Sequence, residues 1–262
     1  MTASTATNLS AISLDVPVVD SHSHVIADDP VRYPLAPMGG KQSDWSKERP
    51  VNGFGMAQAL KEAGVAKSVL VQASTCYGHD NSYTLDCVKA NTSQFVGVYS
   101  VDTLQLDAVA QVKHWKDAGL SGMRVFIAGH TAAADHSVRL DDPRSFPVWE
   151  YISEHHIPMC VQLRADGLPQ LETLLKQFPK ATVLLDHFAR PVLEEGAPYA
   201  QAASLFALAK YPNLNFKFTW RCYRLLSELI LLTTKHSLHN RGLTHTHHLL
   251  ISPRILLCCR CA

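Results

Sequence analysis

The sequence predicts an α/β fold, and within that class a TIM-like (β/α)₈ barrel that is incomplete or irregular at its C-terminal end. Short apolar runs alternate with helix-length segments along the 262 residues. The runs are nearly continuous in Val, Ile and Leu, which is typical of strands buried on both faces of a parallel sheet. No Gly-rich phosphate-binding turn follows the first run, so a barrel is favoured over an open dinucleotide-binding sheet.

Seven apolar runs are the predicted strands. In chain order they are "VPVVDS" (Val16–Ser21), "KSVLVQA" (Lys67–Ala73), "FVGVYSV" (Phe95–Val101), "GMRVFI" (Gly122–Ile127), "PMCVQL" (Pro158–Leu163), "TVLLDH" (Thr182–His187) and "LNFKFT" (Leu214–Thr219). Four predicted helices lie between them: "GMAQALKEAG", "LDAVAQVKHWKDAG", "PVWEYISEHHIP" and "LPQLETLLKQFP". Gly64 and Gly119 end the first two helices, and Pro147 and Pro169 begin the others, as glycine and proline commonly do.

Composition excludes several classes of protein. A net charge of +1 and 18% charged residues give no sign of a nucleic-acid partner, and no apolar run reaches the roughly 18 residues of a membrane span. Cys76, Cys87 and Cys160 are scattered along the chain, as in a reduced cytoplasmic protein. Residues 1–15 are rich in Ser and Thr and are expected to be a disordered lead-in. The sequence leaves the oligomeric state open.

The first predicted strand carries the strongest chemical signal. In "VVDSHSHV" the side chains of Asp20, His22 and His24 alternate, so they share one face of the strand. Placing three polar groups at the end of a buried strand costs free energy unless a partner compensates for their desolvation. A metal ion or an anionic substrate could be that partner.

Polar residues also follow the other strands, at the rim where barrel active sites lie. They are Gln72, Ser74, His79, Asp80, Arg124, His130, Gln162, Arg164, Asp186, His187 and Arg190. Arg124 inside a parallel barrel needs a carboxylate, either the protein's own or a ligand's. The long segment from Ile26 to about Asn52 is expected to be a loop over this rim, because loops of that length are usually functional.

The motifs "VVDSHSHV", "VLVQASTCYGHDN", "GLSGMRVF", "VLLDHFARP" and "FKFTW", in this order, resemble the amidohydrolase superfamily. The nearest resemblance is to the amidohydrolase-related branch that includes 2-pyrone-4,6-dicarboxylate lactonase, over Val16–Trp220. This resemblance implies a distorted barrel that hydrolyses an ester or lactone of a small carboxylic acid by water attack on the carbonyl. A metal-dependent decarboxylase is an alternative, since the superfamily contains some decarboxylases.

The resemblance also assigns residue roles. His22, His24 and His187 are implied as catalytic residues, and Arg124 as the group that holds a substrate carboxylate, for which a bidentate guanidinium is well suited. Ser74, His130 and Gln162 are the further candidate substrate contacts. His130 stands where the lactonase has a second Arg, and Gln162 where it has a Tyr.

A divalent ion, Zn²⁺ or Mn²⁺, is the one implied cofactor, with His22, His24 and His187 as its ligands. Three protein ligands and a water can form a catalytic zinc site. The fifth strand lacks the His or Glu of many metal-dependent members, and no Lys lies in "GMRVFI". A metal-free site is therefore also open.

The C-terminal segment departs from the family. The expected organisation is a lead-in over 1–15, the barrel over 16–220 and an atypical segment over 221–262, which can supply a degenerate eighth strand from Arg254 to Cys259. The family's eighth-strand Asp, its general base, aligns with Arg260. Divergence would explain this, but a frameshift or retained intron is the favoured interpretation. A truncated, catalytically impaired barrel is therefore an alternative function.

Overall fold

The computed structural model describes residues 17–127, 138–192, 195–196, 198–218 and 255–257. Eight strands within these ranges form one parallel sheet in chain order. They are β1 (Val18–Ser23), β2 (Val65–Val71), β3 (Phe95–Ser100), β4 (Gly122–Phe126), β5 (Met159–Gln162), β6 (Val183–Leu185), β7 (Leu214–Phe218) and β8 (Ile255–Leu257). The predicted α/β class, with an incomplete barrel, is confirmed.

The predicted eighth strand, Arg254 to Cys259, is described only over Ile255–Leu257. These three residues form a strand that pairs with β7 from Phe216↔Ile255 onward, and Arg254, Cys258 and Cys259 lie outside the described residues. β8 also approaches β1 and so brings the two ends of the sheet together. Among the described residues no backbone ladder joins these two strands.

Eight helices accompany the described strands. They are α1 (Asp44–Glu48), α2 (Gly53–Glu62), α3 (Ser74–Tyr77), α4 (Ser82–Ala90), α5 (Ala108–Ala118), α6 (Phe146–Glu154), α7 (Leu168–Gln177) and α8 (Ala203–Ala207). Short 3₁₀ turns occupy 143–145, 165–167, 186–189, 200–202 and 208–210. Within the described ranges, none of the helices has the length and apolar character that a bilayer crossing requires.

The helices begin and end for identifiable local reasons. The side chain of Asn52 caps α2 by accepting a 2.7 Å hydrogen bond from the Gly55 amide. Gly119 ends α5 in the left-handed region at φ 119°, where a side chain would be strained. Pro147 and Pro169 lie in the first turns of α6 and α7, where no backbone N–H is needed.

The helices bury one apolar face against the outside of the sheet. In α7 the spacing of Leu168, Leu171, Leu174 and Leu175 places all four side chains on the buried face. Trp149 of α6 is fully buried and stacks on Phe178 with ring centroids 5.9 Å apart. This packing fixes the strands, and therefore the side chains at their carboxyl ends.

The segment after β1 is not a plain loop, because it contains α1. Its backbone is hydrogen-bonded to α3, which follows β2: Ala36 N–H donates to Cys76 C=O at 2.8 Å, and Met38 N–H donates to Ser74 C=O at 3.0 Å. It therefore lies at the carboxyl-end rim, as expected for this segment.

Candidate active site

A cavity of about 390 Å³ opens at the carboxyl ends of the strands. Side chains from β4 and β5, and side chains that follow β1, β2 and β6, line it together with the α1 segment. The lining residues are His24, Lys41, Ser43, Asp44, Trp45, Ala73, Ser74, Thr75, Arg124, Phe126, Gln162, His187 and Arg190. Five of the seven candidate site residues are therefore on one cavity: His24, Ser74, Arg124, Gln162 and His187. His130 lies outside the described residues.

His22 and His24 project from the end of β1 and meet through their rings. Their Nε2 atoms are 3.2 Å apart. His24 Nδ1 lies 2.7 Å from the Val71 carbonyl oxygen, and the His24 ring stacks on Trp45 at 5.3 Å. His24 faces the cavity, whereas His22 lies buried behind it with only 6% of its surface exposed.

The three candidate histidines are neutral at neutral pH. Burial lowers the pKa of His24 to about 4, and nearby Arg124 adds to the effect. Burial also lowers the pKa of His187 to about 3, although Asp186 opposes the shift. The pKa of His22 falls well below its usual value for the same reason, again against the pull of Asp186. Neutral imidazoles can accept protons or hydrogen bonds in the cavity.

Beneath the histidines, Asp186 is the centre of a buried charge cluster, which we call the Asp186 cluster: Asp186, Arg124, Lys217 and His22. Arg124 Nε donates to Oδ2 at 3.0 Å, and Lys217 Nζ lies 3.3 Å from Oδ1. His22 Nδ1 lies 3.4 Å from the same oxygen. Burial alone would raise the pKa of Asp186, but Lys217, His22 and Arg124 outweigh it and hold that pKa well below its usual range.

The carboxylate that pairs with Arg124 belongs to the protein itself. Besides the ion pair with Asp186, its Nη1 donates to the Gln72 carbonyl at 3.4 Å and its Nη2 donates to Gln162 Oε1. Gln162 therefore contacts Arg124 as well as the cavity. Since the guanidinium also lines the cavity, the protein's own carboxylate fixes its orientation towards a ligand.

His187 is held by an unusual turn after β6. His187, Phe188, Ala189 and Arg190 all have left-handed φ values between 52° and 54°. Such conformations are unfavourable for residues other than glycine, and they concentrate at functional sites. The turn brings the His187 ring within 4.8 Å of the His22 ring, measured between centroids.

Ser74 begins α3 with its side chain buried against the cavity. Only 1% of its surface is exposed. Among the described residues, its hydroxyl has no hydrogen-bond partner. The hydroxyl is therefore available to a ligand.

Sequence reasoning gave no role to Lys217, which is 1% exposed and lies at the centre of the site. In "LNFKF", Asn215 and Lys217 alternate with Leu214 and Phe216. A lysine in the interior-facing register of a buried strand was the available signal. Its ammonium also contacts Cys160 Sγ at 3.0 Å.

The residues present fit a divalent metal ion only in part. The Nε2 spacing of 3.2 Å matches two ligands of a tetrahedral Zn²⁺, which lie roughly 3.4 Å apart at ordinary bond lengths. In the described part of the chain, however, no three His, Cys, Asp or Glu side chains are grouped to hold a metal. Arg124 and Lys217 also bring two positive charges to the single carboxylate of Asp186. The described donor set does not amount to a metal site.

The family follows from a match over most of the chain. The amidohydrolase family model matches residues 19–236, which include every strand from β2 to β7 and all the candidate site residues. The chain belongs to the amidohydrolase family. The family expected from the strand-end motifs is thereby confirmed.

Two curated relatives of this amidohydrolase are lactone hydrolases by name. L-fucono-1,5-lactonase of Burkholderia ambifaria is 27% identical over 162 residues, which cover 61% of this chain and 54% of the relative. The 2-pyrone-4,6-dicarboxylate hydrolase of Comamonas testosteroni is 29% identical over 180 residues, which cover 68% of this chain and 53% of the relative. The chain thus spans about half the length of the curated relatives it matches.

A solved structure supports the fold of this amidohydrolase. It is a probable 2-pyrone-4,6-dicarboxylic acid hydrolase from Acinetobacter baumannii with citric acid bound, with a TM-score of 0.66 and 17% identity. The likeness covers 92% of this chain and 83% of that one. At this identity it establishes the shared barrel architecture.

Proposed function

We propose that this amidohydrolase cleaves an ester or lactone of a small carboxylic acid by water attack on the carbonyl carbon. The observation that carries the proposal is the meeting of His24, His187, Arg124 and Gln162 on one cavity at the carboxyl-end rim. The names of the two lactone hydrolases among its relatives support this reaction class.

The charge of the cavity favours an acidic substrate. Lys41, Arg124 and Arg190 line it, whereas Asp44 is the only acidic residue among the described lining residues. A carboxylate on the substrate would lower this excess of positive charge, and guanidinium groups bind carboxylates with directional hydrogen bonds. The Ser74 hydroxyl adds a donor at the same wall.

The proposed reaction assigns one step to each group. His187, as a neutral imidazole, takes a proton from the attacking water, and the resulting hydroxide adds to the carbonyl carbon. Arg124, already oriented by Asp186 and Gln162, stabilises the oxyanion that develops on the carbonyl oxygen. The C–O bond to the leaving alkoxide then breaks, and the imidazolium of His187 returns its proton to that oxygen.

The same geometry supports a site that works without a bound metal, because the described donor set lacks a third ligand.

We also propose a cytoplasmic protein, since Cys76, Cys87 and Cys160 are buried free thiols.

A non-catalytic barrel that binds small anions is the second candidate. The positive cavity wall favours it, and a base with a pKa of about 3 is far below the strength that suits proton abstraction at neutral pH. The aligned position of the family's general base, Arg260, lies outside the described residues. The decarboxylase alternative is weaker, since the named relatives are lactone hydrolases.

The test is turnover of a panel of lactones, each with and without a carboxylate, by the purified chain. His187→Asn should lower kcat by a factor of 10² or more, in line with the usual contribution of a general base. The control is His155→Asn, since His155 is exposed at the end of α6, on the opposite rim. Turnover in the presence of a chelator should be unchanged.

Equal rates in His187→Asn and His155→Asn would contradict the assignment of His187. Binding of the carboxylated lactones with no turnover of any of them would favour the anion-binding barrel instead.

A further inference from the structure

A line of hydrogen-bonding groups runs through the site from β7 to β2. Lys217 Nζ lies 3.4 Å from His22 Nδ1, His22 Nε2 lies 3.2 Å from His24 Nε2, and His24 Nδ1 lies 2.7 Å from Val71 C=O. Each contact joins one nitrogen to the next polar atom. The direction of every hydrogen bond can therefore be worked out from the two ends, where the donor or acceptor role is fixed.

The Val71 end fixes the tautomer of His24. A carbonyl oxygen only accepts, so His24 Nδ1 carries the proton and donates to Val71. A neutral His24 then has a lone pair on Nε2, and the neighbouring His22 Nε2 must carry a proton to donate to it. Two facing lone pairs at 3.2 Å would repel each other.

The Lys217 end agrees with this result. His22 Nδ1 lies 3.4 Å from Lys217 Nζ, which only donates, and 3.4 Å from Asp186 Oδ1, which only accepts. A lone pair on Nδ1 satisfies the Lys217 ammonium and leaves the Nε2 proton for His24. The proton of a neutral His22 is then on Nε2, as the Val71 end requires. The ammonium has three protons and faces three acceptors, which are Asp186 Oδ1, His22 Nδ1 and Cys160 Sγ. Its ionised state is favoured by Asp186.

We propose that Lys217 is a positioning residue that fixes the tautomers of His22 and His24, and thereby closes this histidine pair to divalent metal ions. In the resulting arrangement, His22 Nε2 carries a proton, and the lone pair of His24 Nε2 accepts a hydrogen bond from it. Neither Nε2 atom then offers a lone pair to a metal. The inference depends on one part of the proposed function, which is the metal-free site. Its test measures histidine tautomers and zinc binding instead of turnover, so the two proposals can fail separately.

Without the ammonium, two acceptors compete for the His22 proton: the neutral His24 Nε2 and the charged Asp186 Oδ1. Hydrogen bonds to a carboxylate are the stronger ones, so the His22 tautomer should change. In Lys217→Met, His22 Nδ1 can take the proton and donate to Asp186 Oδ1, 3.4 Å away. Both Nε2 lone pairs would then point at the same space, with one positive charge fewer beside them. That arrangement suits a divalent ion, because a metal-bound histidine commonly donates its other ring N–H to a carboxylate.

The experiment is NMR of the full chain with ¹⁵N-labelled histidine, in which the pattern of nitrogen shifts identifies each tautomer. His22→Gln and His24→Gln assign the two rings. In metal-free wild type we expect His22 protonated at Nε2 and His24 protonated at Nδ1. Finding His22 protonated at Nδ1 would overturn the proposal, and this measurement decides the matter even if Lys217→Met does not fold.

A Zn²⁺ titration then follows the same two ring signals, so that zinc bound elsewhere on the chain does not interfere. In Lys217→Met, half-saturation of the His22 and His24 signals should need at least tenfold less Zn²⁺ than in wild type. Cys160→Ala is the matched control, because it removes another Lys217 contact and leaves the one to His22. It should behave as wild type, and equal affinity in all three proteins would contradict a metal-excluding role for Lys217.

Discussion

At the scale of single residues, the charged contacts of the site converge on Asp186. Its carboxylate is fully buried and faces Arg124 and Lys217, which are themselves buried. Such a group is costly to bury alone, so its loss leaves two cations without their counter-charge. The stability of the barrel and the geometry of the cavity therefore depend on the same residue.

Asp186→Asn should lower the free energy of unfolding by about 3–5 kcal/mol, the usual cost of breaking a buried ion pair. Urea unfolding followed by circular dichroism measures it. Asp86→Asn is the control, because Asp86 pairs with Arg32 at the surface and such pairs contribute about 1 kcal/mol or less. Equal losses in the two variants would show that the Asp186 cluster is not a stabilising centre.

The buried histidines make a prediction about pH. Their pKa values are lowered in the folded protein, so the unfolded chain takes up protons first as the pH falls below about 6.5. Stability should therefore be fully present above that pH and should fall between pH 7 and 5, by about 2 kcal/mol for each of His24 and His187. Urea unfolding at both pH values tests this.

His187→Asn should reduce the loss of stability between pH 7 and 5 by the contribution of one histidine. His155→Asn serves as the control, because His155 is exposed at the end of α6. If the free energy of unfolding changes with pH in the same way in wild type and His187→Asn, then His187 has the same pKa in the folded and the unfolded chain.

Single residues differed in how well the sequence revealed them. His22 and His24 stood out because the two-residue period of a strand puts both on one face. The partner of Arg124 stayed open, because only the fold brings Asp186 within 3.0 Å across 62 positions. The apolar neighbours of Lys217 predict a buried strand and no chemical role, and only its register, opposite Leu214 and Phe216, marks it as interior-facing.

At the scale of elements, β3 approaches its neighbours so closely that a side chain is excluded at Gly97. A Cβ placed there would lie 2.3 Å from Leu120 Cδ2 and 3.0 Å from Val88 Cγ2. Both of those side chains are buried, so neither can move aside freely. The glycine sets how near α4 can pack to the sheet.

Gly97→Val should therefore destabilise the fold by about 1–3 kcal/mol, the cost of overpacking a core, measured by urea unfolding. Val96→Thr on the same strand is the matched control, since Val96 is 40% exposed and should change stability by less than about 0.5 kcal/mol. A Gly97→Val protein as stable as Val96→Thr would show that this contact can relax.

The first seven strands and the helices α2, α5 and α7 could be predicted to within about two residues, because buried parallel strands and Gly- or Pro-bounded helices leave strong local patterns. The helix α6 ends at Glu154, a few residues earlier than predicted. The sequence did not predict α3, α4 or α8, nor did it predict α1. Its five residues are too few to form a helix by their own propensity. Contacts with α3 hold its segment, including a 2.9 Å hydrogen bond that the Thr75 hydroxyl donates to the Ser43 hydroxyl.

At the scale of the whole molecule, the described strands of this amidohydrolase bring their carboxyl ends together at one cavity. The family model covers β2 to β7 completely, and these strands with β1 supply the described strand-end groups of the site. The approach of β8 to β1 brings the ends of the sheet together. The candidate active site depends on this convergence more than on any one residue.

The most direct measurement is a titration of the ¹⁵N-histidine-labelled chain with a small dicarboxylate, followed by NMR. The signals of His24 and His187 should shift together along one binding curve, because both rings line the same positively charged cavity. The signal of His155, on the opposite rim, should not move. Shifts of His24 and His187 with different affinities, or no shift of either at millimolar ligand, would contradict a shared carboxylate-binding cavity.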